Sequence, residues 1–286
     1  MTAHALPAPL VSAPQLLAAM AGGLAPVIVD CSFELADTGA GLRAFAQGHV
    51  PGAVYAHLDE DLSGPKTGRN GRHPLPTREA WSATLGRLGI GPATPVVVYD
   101  GQGGMYAARA WWMLRWVGHQ AVSVLDGGLA AWRESGGAIE AGEPPAPYPR
   151  IVPYPVDASL VRSIDADALL RSLGNVTLLD ARAGDRFRGE VEPLDARAGH
   201  IPGARSRFFR DNLEPDGRFR SPQALRAAFE AFGASPERVV HQCGSGVTAC
   251  HNLLAMEVAG LSGSALYPGS WSEWSADPAR PVATGG

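Results

Sequence analysis

Cysteine is scarce in this sequence: only Cys31, Cys243 and Cys250 occur in 286 residues. Three thiols give no disulfide framework and point to a reducing compartment. A positive field is missing too. Net charge is −4, so neither nucleic acid nor an anionic membrane meets a broad basic surface. No apolar run approaches the ~20 residues of a membrane span. The opening stretch, MTAHALPAPLVSAPQLLAAMAGG, lacks the basic start of a signal peptide, and Pro7, Pro9 and Pro14 interrupt its apolar run. The expectation is a cytoplasmic protein with no membrane and no nucleic-acid partner. What is present is ordinary for a soluble globular chain, 45% hydrophobic and 18% charged. The length suits two domains.

An internal repeat is visible. The first half reads VIVDCS (27–32), GHVPGAVY (48–55), VVVYDGQGG (96–104) and LDGGLAAW (125–132). The second reads TLLDAR (177–182), GHIPGARS (199–206), VVHQCGSGV (239–247) and YPGSWSEW (267–274). The order is the same, about 140 to 150 residues apart. Short β-rich runs alternate with amphipathic ones, which predicts α/β domains, each a mostly parallel sheet flanked by helices on both faces. The predicted boundaries are 1–140, a linker over 141–158, and 159–286. Pro144, Pro145, Pro147, Pro149, Pro153 and Pro155 make that linker extended and semi-rigid. His49 and His200 recur symmetrically in the Gly-His-x-Pro-Gly-Ala blocks, which favours a structural bond over catalysis.

The stretch with the strongest chemical signal is VVHQCGSGVTACH, Val239 to His251. It reads as strand, tight loop and helix, with Cys243 at the carboxyl end of the strand. The amides of residues 244 to 248 can turn inward around the sulfur, and they and the helix dipole favour an anion there. The expectation is a thiolate nucleophile in a ring of N–H donors. Gly244 and Gly246 suit backbone that must approach a ligand closely. Aligning the repeats puts Asp100 opposite Cys243, so the first-half loop reads as catalytically silent.

Other chemistries fit less well. A cysteine phosphatase needs an arginine about six positions after the nucleophile, where Ala249 stands. Gly244-x-Gly246-x-x-Ala249 is a weak dinucleotide pattern with no acidic residue ending the next strand-like run. His241, Cys243, Cys250 and His251 lack the usual zinc spacing. No metal and no cofactor is expected.

The tandem halves, DAR-x₃-RF-x-GE (180–190), GHIPGA and CGSGVTAC together resemble the two-domain rhodanese-like sulfurtransferases, over essentially the whole chain. The uncharged CGSGVTA loop resembles the mercaptopyruvate branch; the thiosulfate branch carries basic residues there. The resemblance implies transfer of a sulfane sulfur from 3-mercaptopyruvate or thiosulfate to cyanide or a thiol, through a Cys243 persulfide in two half-reactions. A thioredoxin-like reductant is among the acceptors it implies. It also implies roles by motif position. Ser245 would act as a proton relay with His73 and Asp59. Arg186 would hold the donor's carboxylate or carbonyl. Gly244, Gly246, Val247 and Thr248 would line the donor site. One departure stands out. The mercaptopyruvate branch has a second arginine in a Glu-Pro-Arg stretch, and here the chain reads Glu192-Pro193-Leu194-Asp195. Arg197 is the nearby candidate to replace it. A non-enzymatic alternative is a persulfide carrier or redox-signalling module that docks a protein partner.

Overall fold

The computed structural model describes residues 6–144 and 152–286. Of the six prolines of the expected linker, Pro145, Pro147 and Pro149 fall outside the described residues. By packing, the chain forms two compact units. The first runs to Leu62, resumes over Pro76–Leu160 and takes in Pro215–Arg218. The second comprises Ser63–Leu75, Val161–Glu214 and Phe219–Gly286. Packing therefore does not follow contiguous halves of the sequence: Ser63–Leu75, from the first repeat, belong with the second unit.

The first unit holds β1 (Leu10–Val11), α1 (Ala13–Ala21), β2 (Val27–Asp30), α2 (Ala40–Gln47), β3 (Val54–Tyr55), α3 (Arg78–Arg87), β4 (Val96–Tyr99), α4 (Ala107–Trp116), β5 (Val122–Leu125) and α5 (Gly128–Glu134). Its five strands are all parallel, in the order β1-β5-β4-β2-β3. The second unit repeats the plan with β6 (Arg162–Ser163), α6 (Ala166–Ser172), β7 (Thr177–Asp180), α7 (Gly184–Arg188), β8 (Arg205–Ser206), α8 (Pro222–Glu230), β9 (Val239–Gln242), α9 (Thr248–Val258), β10 (Ala265–Leu266) and α10 (Ser270–Ala276). Its order is β6-β10-β9-β7-β8, again all parallel. The sequence repeat is thus a structural repeat, strand for strand, and the α/β expectation holds.

The middle strands β4 and β9 are buried along their whole length. A parallel strand covered on both faces has no alternation to show. That is why VVVY reads as a continuous apolar run. In β9 two of the four buried residues are polar, His241 and Gln242. His241 sits against Met256 Sδ at 3.0 Å. Burial, and then the Arg207 charge, push its pKa down to about 3, so the ring is neutral.

Helices pack against these sheets with starts written into the sequence. Ser12 and Gln15 form a capping box before α1. Thr77, Asp165 and Ser221 cap α3, α6 and α8 through their side chains. α9 has no such cap. The first core gathers Leu16, Ile28, Phe45, Val97, Tyr99 and Trp132; the second gathers Leu169, Leu178, Phe187, Val240, Trp271 and Trp274. Each large apolar side chain buried this way contributes about 1.5–3 kcal/mol before entropy is counted. His49 and His200 serve these cores. Each is buried, stacked on Phe45 or Phe187 at 3.7 and 3.9 Å, with Nδ1 2.8 Å from that residue's carbonyl.

Candidate active site

Cys243 directly follows β9. On one side of β9 lies β10, which comes later in the chain, and on the other lies β7, which comes earlier. The sheet therefore changes winding direction between β7 and β9. Loops leaving the carboxyl ends of such a pair diverge and open a crevice. Cys243 leaves β9 into that crevice, and Arg186, on α7, follows β7.

The cysteine loop is fixed from below by α10. Trp271 N–H donates to the Cys243 carbonyl at 3.0 Å, and Ser272 N–H to the Gly244 carbonyl at 2.9 Å. Ser270 Oγ accepts the Cys243 N–H at 3.1 Å and donates to the Tyr267 carbonyl at 2.9 Å. Ser270 holds a left-handed φ of 54°, a conformation L side chains rarely adopt. The matching position in the first unit is Gly128, with φ of 56°. The second unit thus keeps a costly serine where its repeat uses glycine, and its hydroxyl holds the cysteine's backbone.

With the loop carbonyls held by α10, Gly246 N–H reaches Cys243 Sγ at 3.1 Å. Gly246 has φ of 76°, and a Cβ there would lie 2.2 Å from the Pro268 carbonyl oxygen. Only glycine fits. α9 starts uncapped at Val247, so its first N–H groups have no intrahelical partner. The N–H groups of Ser245, Val247 and Thr248 meet no acceptor among the described residues. Cys243 is 2% exposed, with one loop amide on its sulfur rather than the full ring of five that the sequence suggested.

The first unit shows what an occupied loop looks like. Asp100, directly after β4, is buried, and its two carboxylate oxygens accept N–H groups from Gln102, Gly104, Tyr106 and Ala107 at 2.8 to 2.9 Å. The chain's own anion fills that cradle and caps α4.

Ser63–Leu75 carries further groups to the cysteine. The segment is closed by Gly64 N–H on the Pro74 carbonyl at 2.8 Å. It is laid on the start of α10 by Arg72 N–H on Ser272 Oγ at 2.9 Å. His73 is buried, with Nδ1 2.7 Å from Ser245 Oγ. The structure thus brings Ser245 and His73 together. Asp59 lies in the first unit, half-buried after β3, its N–H on His57 Nδ1 at 3.2 Å.

Three arginines and three carboxylates are interlaced beside the loop. Arg182 grips Asp180 with Nε and Nη2, donates to the Gly199 carbonyl at 2.7 Å, and lies over the Trp271 ring at 4.8 Å. This explains the DAR motif: it ties β7 to the Gly-His block and to α10. Arg186 Nη2 pairs with Glu192 at 2.7 Å and Asp195 at 3.1 Å. Arg72 Nη1 pairs with Asp195 at 2.6 Å. Leu194 is 45% exposed. Arg197 does not replace a missing clamp. Its guanidinium donates to the carbonyls of Trp274, Ser275, Asp277 and Arg280, closing the end of α10.

Sequence reasoning did not single out Arg72, Asp195 or Ser270. The signal for Ser270 was present in the recurring LDGGLAAW and YPGSWSEW blocks. The zinc alternative dissolves in the geometry, since Cys250 Sγ points to the Gly246 carbonyl at 3.3 Å and His251 faces Asn212 at 3.1 Å. Among the described residues no cluster of three metal-ligating side chains forms. No helix among them is long and apolar enough to cross a membrane.

Two parallel five-stranded α/β sheets, each with a strand–loop–helix turn after its central strand, define a class. The rhodanese-like domain model matches residues 12–135 and 165–277, and the chain belongs to that family. A Pseudomonas aeruginosa protein named "Probable 3-mercaptopyruvate sulfurtransferase" is 48% identical over 91% of this chain and 92% of its own. The thiosulfate sulfurtransferase of Cricetulus griseus is 35% identical over 86% and 84%. Among solved structures, the 3-mercaptopyruvate sulfurtransferase from Leishmania major matches with a TM-score of 0.78 at 33% identity, covering 87% of this chain and 70% of that one. The chain is a tandem sulfurtransferase, acting between a small-molecule sulfur donor and an acceptor.

Proposed function

We propose that the protein moves a sulfane sulfur from 3-mercaptopyruvate or thiosulfate to a thiophilic acceptor through a persulfide on Cys243. The observation that carries this reading is the cysteine loop itself. The first unit fills the equivalent loop with a carboxylate. The second presents a thiol there, with Gly246 N–H on its sulfur and neighbouring amides unengaged. A terminal persulfide sulfur bears negative charge, and fixed amides stabilise it as they would an oxyanion. By the same comparison the first unit's loop is catalytically silent.

The Cys243 thiolate attacks the donor's outer sulfur, a sulfur–sulfur bond forms, and the donor's carbon–sulfur or sulfur–sulfur bond breaks. Thiosulfate leaves as sulfite and needs no proton. Mercaptopyruvate leaves as the enolate of pyruvate, and the proton from its thiol must reach that carbon. Ser245 Oγ, 2.7 Å from His73 Nδ1, is placed to relay it. The family pattern adds Asp59 to this relay. Cyanide or a thiol, including a thioredoxin-type reductant, then takes the outer sulfur and restores the thiolate. Gly244, Gly246, Val247 and Thr248 supply the walls and N–H donors, and Arg186 the cation.

Weighing the intact protein after each donor is added tests the core of this. Wild type gains one sulfur and Cys243→Ala gains none; an equal gain in both would defeat the proposal. The relay is tested by donor dependence. Ser245→Ala and Asp59→Asn should lower mercaptopyruvate turnover about 10- to 100-fold, the range of a lost general acid–base contribution, and thiosulfate turnover far less. Continued turnover with free cyanide, rather than a single loading, separates an enzyme from a persulfide carrier.

A further inference from the structure

We propose that Arg72 is the second half of the clamp that holds the donor's oxyanion, a carboxylate or sulfonate, working with Arg186 across the cysteine loop, and that Asp195 is the counter-ion the donor displaces. This rests on the sulfur-transfer reading above.

The position that the mercaptopyruvate branch fills with a second arginine is occupied by exposed Leu194. Arg197 is committed to the end of α10. Arg72 arrives from a different part of the chain. A Cβ on Gly244 would lie 3.1 Å from Arg72 Nη2 and 3.4 Å from Arg186 Nη1. The two guanidinia therefore converge on the residue next to the nucleophile. Because residue 244 is glycine, no side chain fills the space between them and the loop.

Asp195 shows what this pair is spaced to hold. Its Oδ1 takes Arg72 Nη1 and its Oδ2 takes Arg186 Nη2, so one carboxylate is gripped at both oxygens by two cations. The donors nearest Gly244, Arg72 Nη2 and Arg186 Nη1, lie outside those pairs. The Nε–H groups of both arginines are buried and reach no acceptor among the described residues. A buried guanidinium donor without a partner is costly, so both arginines keep hydrogen-bonding capacity in reserve, and an oxyanion entering over Gly244 would meet Arg72 Nη2 and Arg186 Nη1. Planar forks of donors suit this recognition.

The arrangement also needs restraint. Arg72, Arg182 and Arg186 face Asp180, Glu192 and Asp195. Charge is therefore balanced without the donor. When its oxyanion binds, Asp195 must give up part of its hold. Asp195 thus weakens donor binding while keeping both guanidinia in place.

The test is steady-state kinetics with each donor and cyanide, on wild type, Arg72→Gln, Arg72→Lys and Asp195→Asn. Arg72→Gln should raise KM about tenfold or more, the loss of one charged hydrogen-bonding contact, with a much smaller change in kcat. Arg72→Lys keeps the charge and loses the fork, so it should fall between. Asp195→Asn should lower KM. A rise confined to mercaptopyruvate makes the clamp a carboxylate reader; a rise for both donors makes it a general oxyanion reader. A KM within about twofold of wild type in a normally melting Arg72→Gln protein overturns the proposal. If that variant does not fold, Asp195→Asn decides, and an unchanged or raised KM overturns it. Should wild type gain no sulfur at all, the transfer reading fails separately. Calorimetric binding of pyruvate and sulfate, weakened or unchanged by Arg72→Gln, then decides the clamp.

Discussion

Gly246 sets the cysteine loop through one peptide unit. Its N–H is on Cys243 Sγ and its carbonyl accepts from Cys250 Sγ. A methyl group there meets both the positive φ and the Pro268 carbonyl. Gly246→Ala should cost on the order of 1–3 kcal/mol, read as a shifted denaturant midpoint, and abolish sulfur loading. Ser270→Ala removes the acceptor of the Cys243 N–H and should cost about 1 kcal/mol in the same measurement. Asp195 gives a pH signature. Burial raises its carboxyl above the ordinary value, opposed by Arg72 and Arg186 and assisted by Glu192. As pH falls through that raised pKa, Asp195 gains a proton and stops countering the two arginines. Pyruvate should therefore bind more tightly toward acid pH in wild type, and this trend should flatten in Asp195→Asn. An identical slope in the two proteins would show that Asp195 is not the group responsible.

At the scale of elements, the same strand–loop–helix is used twice with opposite outcomes. After β4 the loop closes on its own carboxylate, and after β9 it stays open around a thiol. The reason lies in one side chain: Asp100 is long enough and charged enough to reach four backbone N–H groups. Asp100→Asn leaves the size and removes the charge. It should destabilise the first unit by about 1–3 kcal/mol, the difference between charged and neutral acceptors summed over a shared cradle. Thermal melting of that variant checks it, with sulfur loading at Cys243 unaffected. α9 and α4 both begin without a side-chain cap of their own. That omission is readable only once the loop before each helix is seen.

Taken as a whole, the molecule carries two such loops and, in the proposed mechanism, one nucleophile, so each chain should load a single sulfur atom. The other thiols are poor rivals. Burial pushes the Cys31 thiol well up, with Asp30, Asp100 and Asp61 adding to it. Donor and acceptor should give parallel double-reciprocal lines, as expected when the first product leaves before the acceptor arrives; intersecting lines would contradict a free persulfide form.

The sequence by itself determined the repeat, the parallel α/β plan, the cysteine that ends the second unit's central strand and the loop glycines. These are local facts: strands, turns and caps are set by residues within a few positions of each other. Ser245 and Arg186 could be named for the same reason, because each sits inside a contiguous motif. Tertiary structure decided the rest. His73 meets Ser245 across 172 residues of chain and Arg72 meets Asp195 across 123, and no periodicity or composition encodes such a meeting. Which arginine faces the cysteine loop and which only closes a helix is fixed by packing. Arg72 and Arg197 carry the same charge, and the folded chain alone gives them different partners.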